Sequence, residues 1–259
     1  SLATASGPAW GEFIRARAVY WLRPDPSLVP VMRMLAERKV PQLLLNRDYH
    51  GFACLCTDQA RGVGEAVRHL AGLGHRRIGL AQLPPTADMQ PFLAQREVGF
   101  WREALALGLT TEEAQTLVLQ SAGVRPHAAD AARLEAWLTG PAAPTAIIYP
   151  AAATGTVLRA MAAVGRKIPE DLSLLAFDEV IDPAGLAGGR RFTCLRQRLE
   201  EMGRRAARLS LAAMRPGADC HREWLVPELI AGETTAPCQE RGARSAERAR
   251  RKRKRQNGK

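Results

Sequence analysis

The run Leu172-Ser173-Leu174-Leu175-Ala176-Phe177, set between Pro169 and Asp178, constrains the fold of this 259-residue chain more than any other stretch. Proline cannot continue a preceding helix, so a helix must end before Pro169. The nearly unbroken apolar run that follows suits a strand covered on both faces, as in a parallel α/β sheet. An acid comes directly after it. In open α/β sheets ligands bind at the carboxyl ends of strands, which makes Asp178 a candidate ligand contact as well as a candidate loop acid or helix N-cap.

The same reading runs through the rest of the chain. Strands are expected over 18–22, 41–45, 52–56, 77–81, 116–119, 145–149, 172–177, 192–195 and 223–226. Between them, helices are expected over 27–39, 58–73, 92–107, 126–138, 154–164 and 199–214. Gly74, Gly108 and Gly165 stand where three of these helices stop. Strands alternating with helices argue for α/β architecture with parallel sheets. Residues 1–16 read as irregular.

Charge separates a body from a tail. Of the net charge of +11, the stretch 241–259 carries +9, from ten Lys or Arg against Glu247 alone. Residues 1–240 are therefore nearly neutral, and the basic block reads as a disordered, solvated extension able to touch phosphates only nonspecifically. Cys54, Cys56, Cys194, Cys220 and Cys238 are scattered, without C-x-x-C or metal-ligand spacing, and read as free thiols of a reducing cytoplasm. No apolar run reaches the roughly 20 residues of a membrane span, and the first residues lack a secretory pattern. There is no phosphate-cradling glycine motif, no nucleophile elbow and no paired nucleophile and base. The expectation is a non-enzyme with no cofactor and no metal. His75 reads as structural.

Six motifs occur in one order: V-R-H-L-A-G-L-G-H-R-R-I-G-L at 67–80, R-E-V-G-F at 96–100, P-T-A-I-I at 144–148, I-P-E-D-L-S-L-L-A-F-D-E at 168–179, F-T-C-L-R-Q at 192–197 with M-G-R-R-A at 202–206, and P-E-L-I-A-G-E-T-T at 227–235. Together they resemble the effector-binding core of the lactose-repressor family of bacterial transcription regulators. The resemblance covers about Ala18 to Pro237. It implies a type I periplasmic-binding-protein fold, with two Rossmann-like lobes joined by three crossovers. Carried onto this chain, the first lobe is 1–83 plus 190–215, and the second is 84–189 plus 216–240. The step at Pro84–Pro85 and the loop from Asp178 to Arg191 would be crossovers.

The resemblance also implies what the chain does. A small effector, a sugar in many members, would bind between the lobes and control DNA binding by a headpiece. That headpiece and the first part of the core are not in this sequence, so the first lobe is expected to be incomplete. Arg96 matches an arginine that reaches the ligand, Asp178 an acid that holds ligand hydroxyls, and Asp58 an acid at the edge of the first lobe that also suits a helix cap. Tyr149 ends a strand where it could stack on a ligand or simply pack at the lobe edge. Many members carry an Asn-Asp pair after the strand matching Ala146–Tyr149, whereas Pro150-Ala151-Ala152-Ala153 stand here. That departure allows a less hydroxylated or more aromatic ligand. A homodimer in the cytoplasm is implied, with no membrane partner. The alternative is a solute-binding protein of a sugar transporter, which would share the fold.

Overall fold

The computed structural model describes residues 15–84, 90–120, 128–181, 185, 187–213 and 221–238. The basic stretch 241–259, Pro85 and most of 1–16 lie outside the described residues. In chain order the elements begin with β1 (Val19–Leu22), α1 (Val29–Glu37), β2 (Gln42–Leu45), β3 (Cys54–Thr57), α2 (Gln59–Gly72), β4 (Ile78–Gln82) and α3 (Gln90–Ala106). They continue with β5 (Ala114–Val118), α4 (Ala128–Thr139), β6 (Ala146–Pro150), α5 (Thr154–Ala163), β7 (Ser173–Phe177), β8 (Thr193–Arg196), α6 (Leu199–Ala213), β9 (Arg222–Leu225) and β10 (Glu228–Ile230). All nine expected strands and six expected helices are present within a few residues of their expected ends; β10 was not anticipated.

The described residues form two compact units. The first takes the chain up to Gln59 and the segment Gln197–Glu228, with Phe92. Its sheet has the order β1-β2-β3-β9, and every pair in it is parallel. Strand alternation sorts its side chains onto two faces. Val19, Trp21, Leu44, Cys54 and Cys56 meet Met32 and Leu35 of α1 on one face. Leu43, Leu55 and Leu225 meet Met202 and Ala206 of α6 on the other.

The second unit takes Ala60 to Pro84, Leu93–Arg196 and the residues from Leu229 on. Its sheet has the order β10-β8-β7-β6-β4-β5. The central strands β4, β6 and β7 are buried at every position, as their apolar runs require. Ile78, Leu80, Ile148, Leu175 and Phe177 face Val63, Leu70 and Phe100 of α2 and α3. Ile147, Tyr149, Leu174 and Ala176 face Leu134, Leu138, Val157 and Met161 of α4 and α5. A left-handed glycine, φ +85° at Gly74, ends α2 where the sequence placed its stop.

The expected boundaries 1–83, 84–189, 190–215 and 216–240 need correction. α2 and β4 belong to the second unit, because β4 pairs on both sides with β5 and β6. β8 also belongs there, pairing with β7. β9 joins the first sheet through β3. The crossing points are thus near Asp58–Ala60, Arg196–Gln197 and Leu225–Leu229, and not within the loop after Asp178; the chain also leaves the second unit after Pro84 to place Phe92 in the first, and returns at Leu93.

Candidate functional site

In the second unit, α3 and β7 bring Arg96, Phe177 and Asp178 together. Arg96 stands one helical turn before Gly99, so both lie on the same face of α3. An added Cβ at Gly99 would sit 2.7 Å from the Ala60 Cα, so only a glycine lets α3 lie this close to α2. The side chain of Arg96 is 7% exposed, and its guanidinium carbon lies 3.7 Å from the centre of the Phe177 ring. Stacking on an aromatic face fixes the plane of a guanidinium and directs its N–H donors outward around its edge. Burial lowers the Arg96 pKa to about 10, and the carboxylate of Asp178 works against that shift. The two residues are therefore in electrostatic reach of each other.

Asp178 follows the last residue of β7 with φ +75° and donates its backbone N–H to the Leu195 carbonyl at 3.0 Å. The left-handed turn at a strand's carboxyl end is a position that Asp tolerates better than most residues. Glu179 is aligned with Arg196 at 3.8 Å, and both are well exposed, so this surface pair adds little.

Tyr149 is not a stacking platform. It is fully buried in the cluster beneath α4 and α5, and its hydroxyl is 3.5 Å from Thr154 Oγ1. Strand alternation explains the correction: Tyr149 shares a face with Ile147, whereas Ile148 faces α2 and α3 with Phe177.

Asp58 lies in the first unit, half-buried after β3, with its N–H donated to the Leu225 carbonyl at 2.8 Å. The strand ends of that unit carry a polar network that sequence reasoning missed. Asn46, at φ +53°, accepts from the Thr57 N–H at 2.8 Å and donates to Gln197 Oε1 at 3.1 Å. Thr57 Oγ1 donates to the same Gln197 oxygen at 2.8 Å. Arg47 is 2% exposed, donates to the Asn46 carbonyl at 2.8 Å and lies 4.4 Å over the Phe92 ring. Only Asn46-Arg47 directly after the apolar run Leu43–Leu45 hinted at this in the sequence.

His75 is structural, as expected. Its Nδ1 is 2.9 Å from Thr145 Oγ1, and its Nε2 is 3.0 Å from both Ser173 Oγ and the Ala236 carbonyl. The imidazole thus ties the turn after α2 to the starts of β6 and β7. Burial lowers its pKa. Among the described residues, no group of three His, Cys, Asp or Glu could hold a metal ion, and no helix is long and apolar enough to cross a membrane.

A fixed fork of donors beside a carboxylate acceptor suits a small molecule bearing several hydroxyls. Comparison with known proteins agrees with a binding fold. Residues 67–235 match the family model described as a periplasmic binding protein-like domain. An uncharacterized HTH-type transcriptional regulator of Streptomyces limosus is 36% identical over 154 residues, 56% of this chain and 40% of that protein. The chain thus spans well under half the length of this relative. A LacI family transcriptional regulator of Bifidobacterium animalis subsp. lactis superposes with a TM-score of 0.71 at 23% identity, over 92% of this chain and 85% of that one. One from Enterococcus faecium, with bound ribose, gives 0.69 at 20% identity, over 89% and 84%. At these identities the structural likeness establishes the fold.

Proposed function

The chain belongs to the periplasmic binding protein-like domain family, and from that premise we propose that it is the effector-sensing part of a bacterial transcriptional regulator. The effector is a small polyhydroxylated molecule, a sugar. The observation that carries this reading is the Arg96–Phe177–Asp178 constellation at the carboxyl end of β7. Arg96 donates to ligand oxygens and Asp178 accepts from ligand hydroxyls. Asp58 is the first unit's candidate contact. The ribose held by the Enterococcus faecium regulator and the regulator status of the Streptomyces relative support the class of effector and the setting.

Sensing works by population shift. A ligand that binds one conformation better moves the equilibrium toward it by no more than that difference in affinity. DNA binding then belongs to a part of the regulator other than these residues, acting as a cytoplasmic homodimer.

The test is thermal unfolding against D-ribose, D-xylose, D-glucose and D-galactose, with Asp178→Asn alongside. A sugar at 100 times its Kd adds about 2.7 kcal/mol, a rise of roughly 5–10 °C for a chain of this size. Asp178→Asn should abolish the rise. If no sugar shifts the wild type at concentrations up to tens of millimolar, the sugar reading fails.

A further inference from the structure

We propose that Gln82 is a third ligand-contacting residue of the second unit, its carboxamide reading one hydroxyl of the effector; this rests on the sugar-sensing reading above. Gln82 is the last residue of β4 and is 4% exposed. Its Oε1 is buried with no hydrogen-bond partner among the described residues. Its main-chain carbonyl accepts from the Leu119 N–H at 2.7 Å. A buried amide oxygen without a donor is costly, and folded proteins rarely retain one at a purely structural position.

The sheet shows where this atom stands. Ile78 and Leu80 belong to the cluster under α2 and α3, while Ala81 belongs to the opposite one. Alternation therefore puts Gln82 on the α2–α3 face. Leu80 is opposite Ile148, and Pro150 is opposite Phe177. Continuing that register sets Gln82 beside Pro150 and two strands from Phe177, about 10 Å between backbones. The Arg96 guanidinium lies on the Phe177 ring of this same face. The carboxamide and the guanidinium thus lie on one face at the carboxyl ends of β4 and β7, with the Asp178 carboxylate in electrostatic reach of the guanidinium.

The chemistry of the three groups differs in a useful way. Arg96 can only donate, and ionised Asp178 can only accept. A carboxamide does either after a half-turn about its last torsion, and a hydroxyl is the ligand group that satisfies both settings. Neighbours such as Leu80 and Pro150 offer Gln82 no side-chain donor. The amide is left to be met by the ligand.

The experiment uses the whole protein, comparing wild type, Gln82→Leu and Asp178→Asn in two measurements. These are the ligand-free unfolding midpoint, and calorimetric binding of D-ribose and D-glucose. Gln82→Leu keeps the shape and removes the orphan amide. Its ligand-free midpoint should equal or exceed that of wild type, while the sugar that binds wild type should bind about tenfold more weakly. Unchanged affinity overturns the proposal, and so does a lower ligand-free midpoint, which would assign the amide a structural partner or a buried water. Lost binding in Asp178→Asn with retained binding in Gln82→Leu leaves the site standing and removes Gln82 from it. If neither sugar binds wild type, the sugar reading fails on its own account. The ligand-free midpoint then decides on Gln82: a fall overturns the proposal, and a rise supports an amide held without a partner.

Discussion

Gly99→Ala should destabilise the second unit even though alanine is the better helix former. An added methyl at Gly99 would lie 2.7 Å from both the Cα and the carbonyl carbon of Ala60, and nearer still to its oxygen. These are main-chain atoms of α2, which cannot swing aside. Ordinary contact begins at 3.4 Å, so clearing the two carbons alone takes a retreat of roughly 0.7 Å and clearing the nearer oxygen takes more, in an interior packed at crystal density. Overpacking of this kind costs about 3 kcal/mol, and the gain in helix propensity returns about 1 kcal/mol. The net loss of about 2 kcal/mol lowers the midpoint by roughly 4–8 °C. Gly64→Ala is the control. There the nearest atom is Glu103 Oε2 at 3.3 Å, the end of a movable side chain, so that variant should melt at or above wild type. Differential scanning calorimetry of the two variants decides. A Gly99→Ala protein as stable as wild type would refute the close approach of α2 and α3, and with it the explanation of the R-E-V-G-F spacing.

Other outcomes follow from the same structure. The buried, neutral His75 has a folded pKa below its ordinary value of 6.5, so the unfolded chain binds more protons in acid. Stability should therefore fall as pH drops below about 6.5, and His75→Gln should flatten that slope at a cost of about 1–3 kcal/mol near pH 8. His69, also lowered by burial, contributes with the same sign. Asn46→Ala loses two side-chain hydrogen bonds and strains a residue at φ +53°, which should cost about 2–4 kcal/mol in urea titration. Asn46→Gly, free of the strain, should cost less. Arg96→Lys keeps the charge but loses the flat face against Phe177, and sugar affinity should drop by at least about tenfold; an unchanged Kd by calorimetry would remove Arg96 from the site.

The elements were legible because each carries a local signature. The strand at 173–177 is a bounded apolar run, and the three-residue step from Arg96 to Gly99 marks one helix face. Sheet membership was not legible. The I-G-L-A of β4 and the L-L-L of β2 are equally apolar, and what separates them is which strands they pair with far along the chain. The Asn46–Gln197 bond, spanning 151 residues, was hidden for the same reason. The choice between stacking and packing for Tyr149 was not legible, because the end of a strand buried on both faces offers no alternation of polarity to show which way a ring points. Gln82 carries no sequence signal, lying just past the expected strand 77–81, and only its burial beside an unfilled hydrogen-bonding capacity singles it out.

If the proposed sensing role holds, the backbone at Asp178 also limits how the site can change over generations. At φ +75° a β-branched or bulky side chain is strongly disfavoured, while Asn and Gly fit with little strain. A lineage drifting toward a new effector therefore has a narrow corridor at this position. It can trade the acid for an amide or for nothing, whereas a direct step to valine or isoleucine must first rebuild the end of β7. Selection on effector choice would then act more freely at neighbouring positions whose main chain is unstrained, and descendants should retain Asp, Asn or Gly here long after their ligands have diverged.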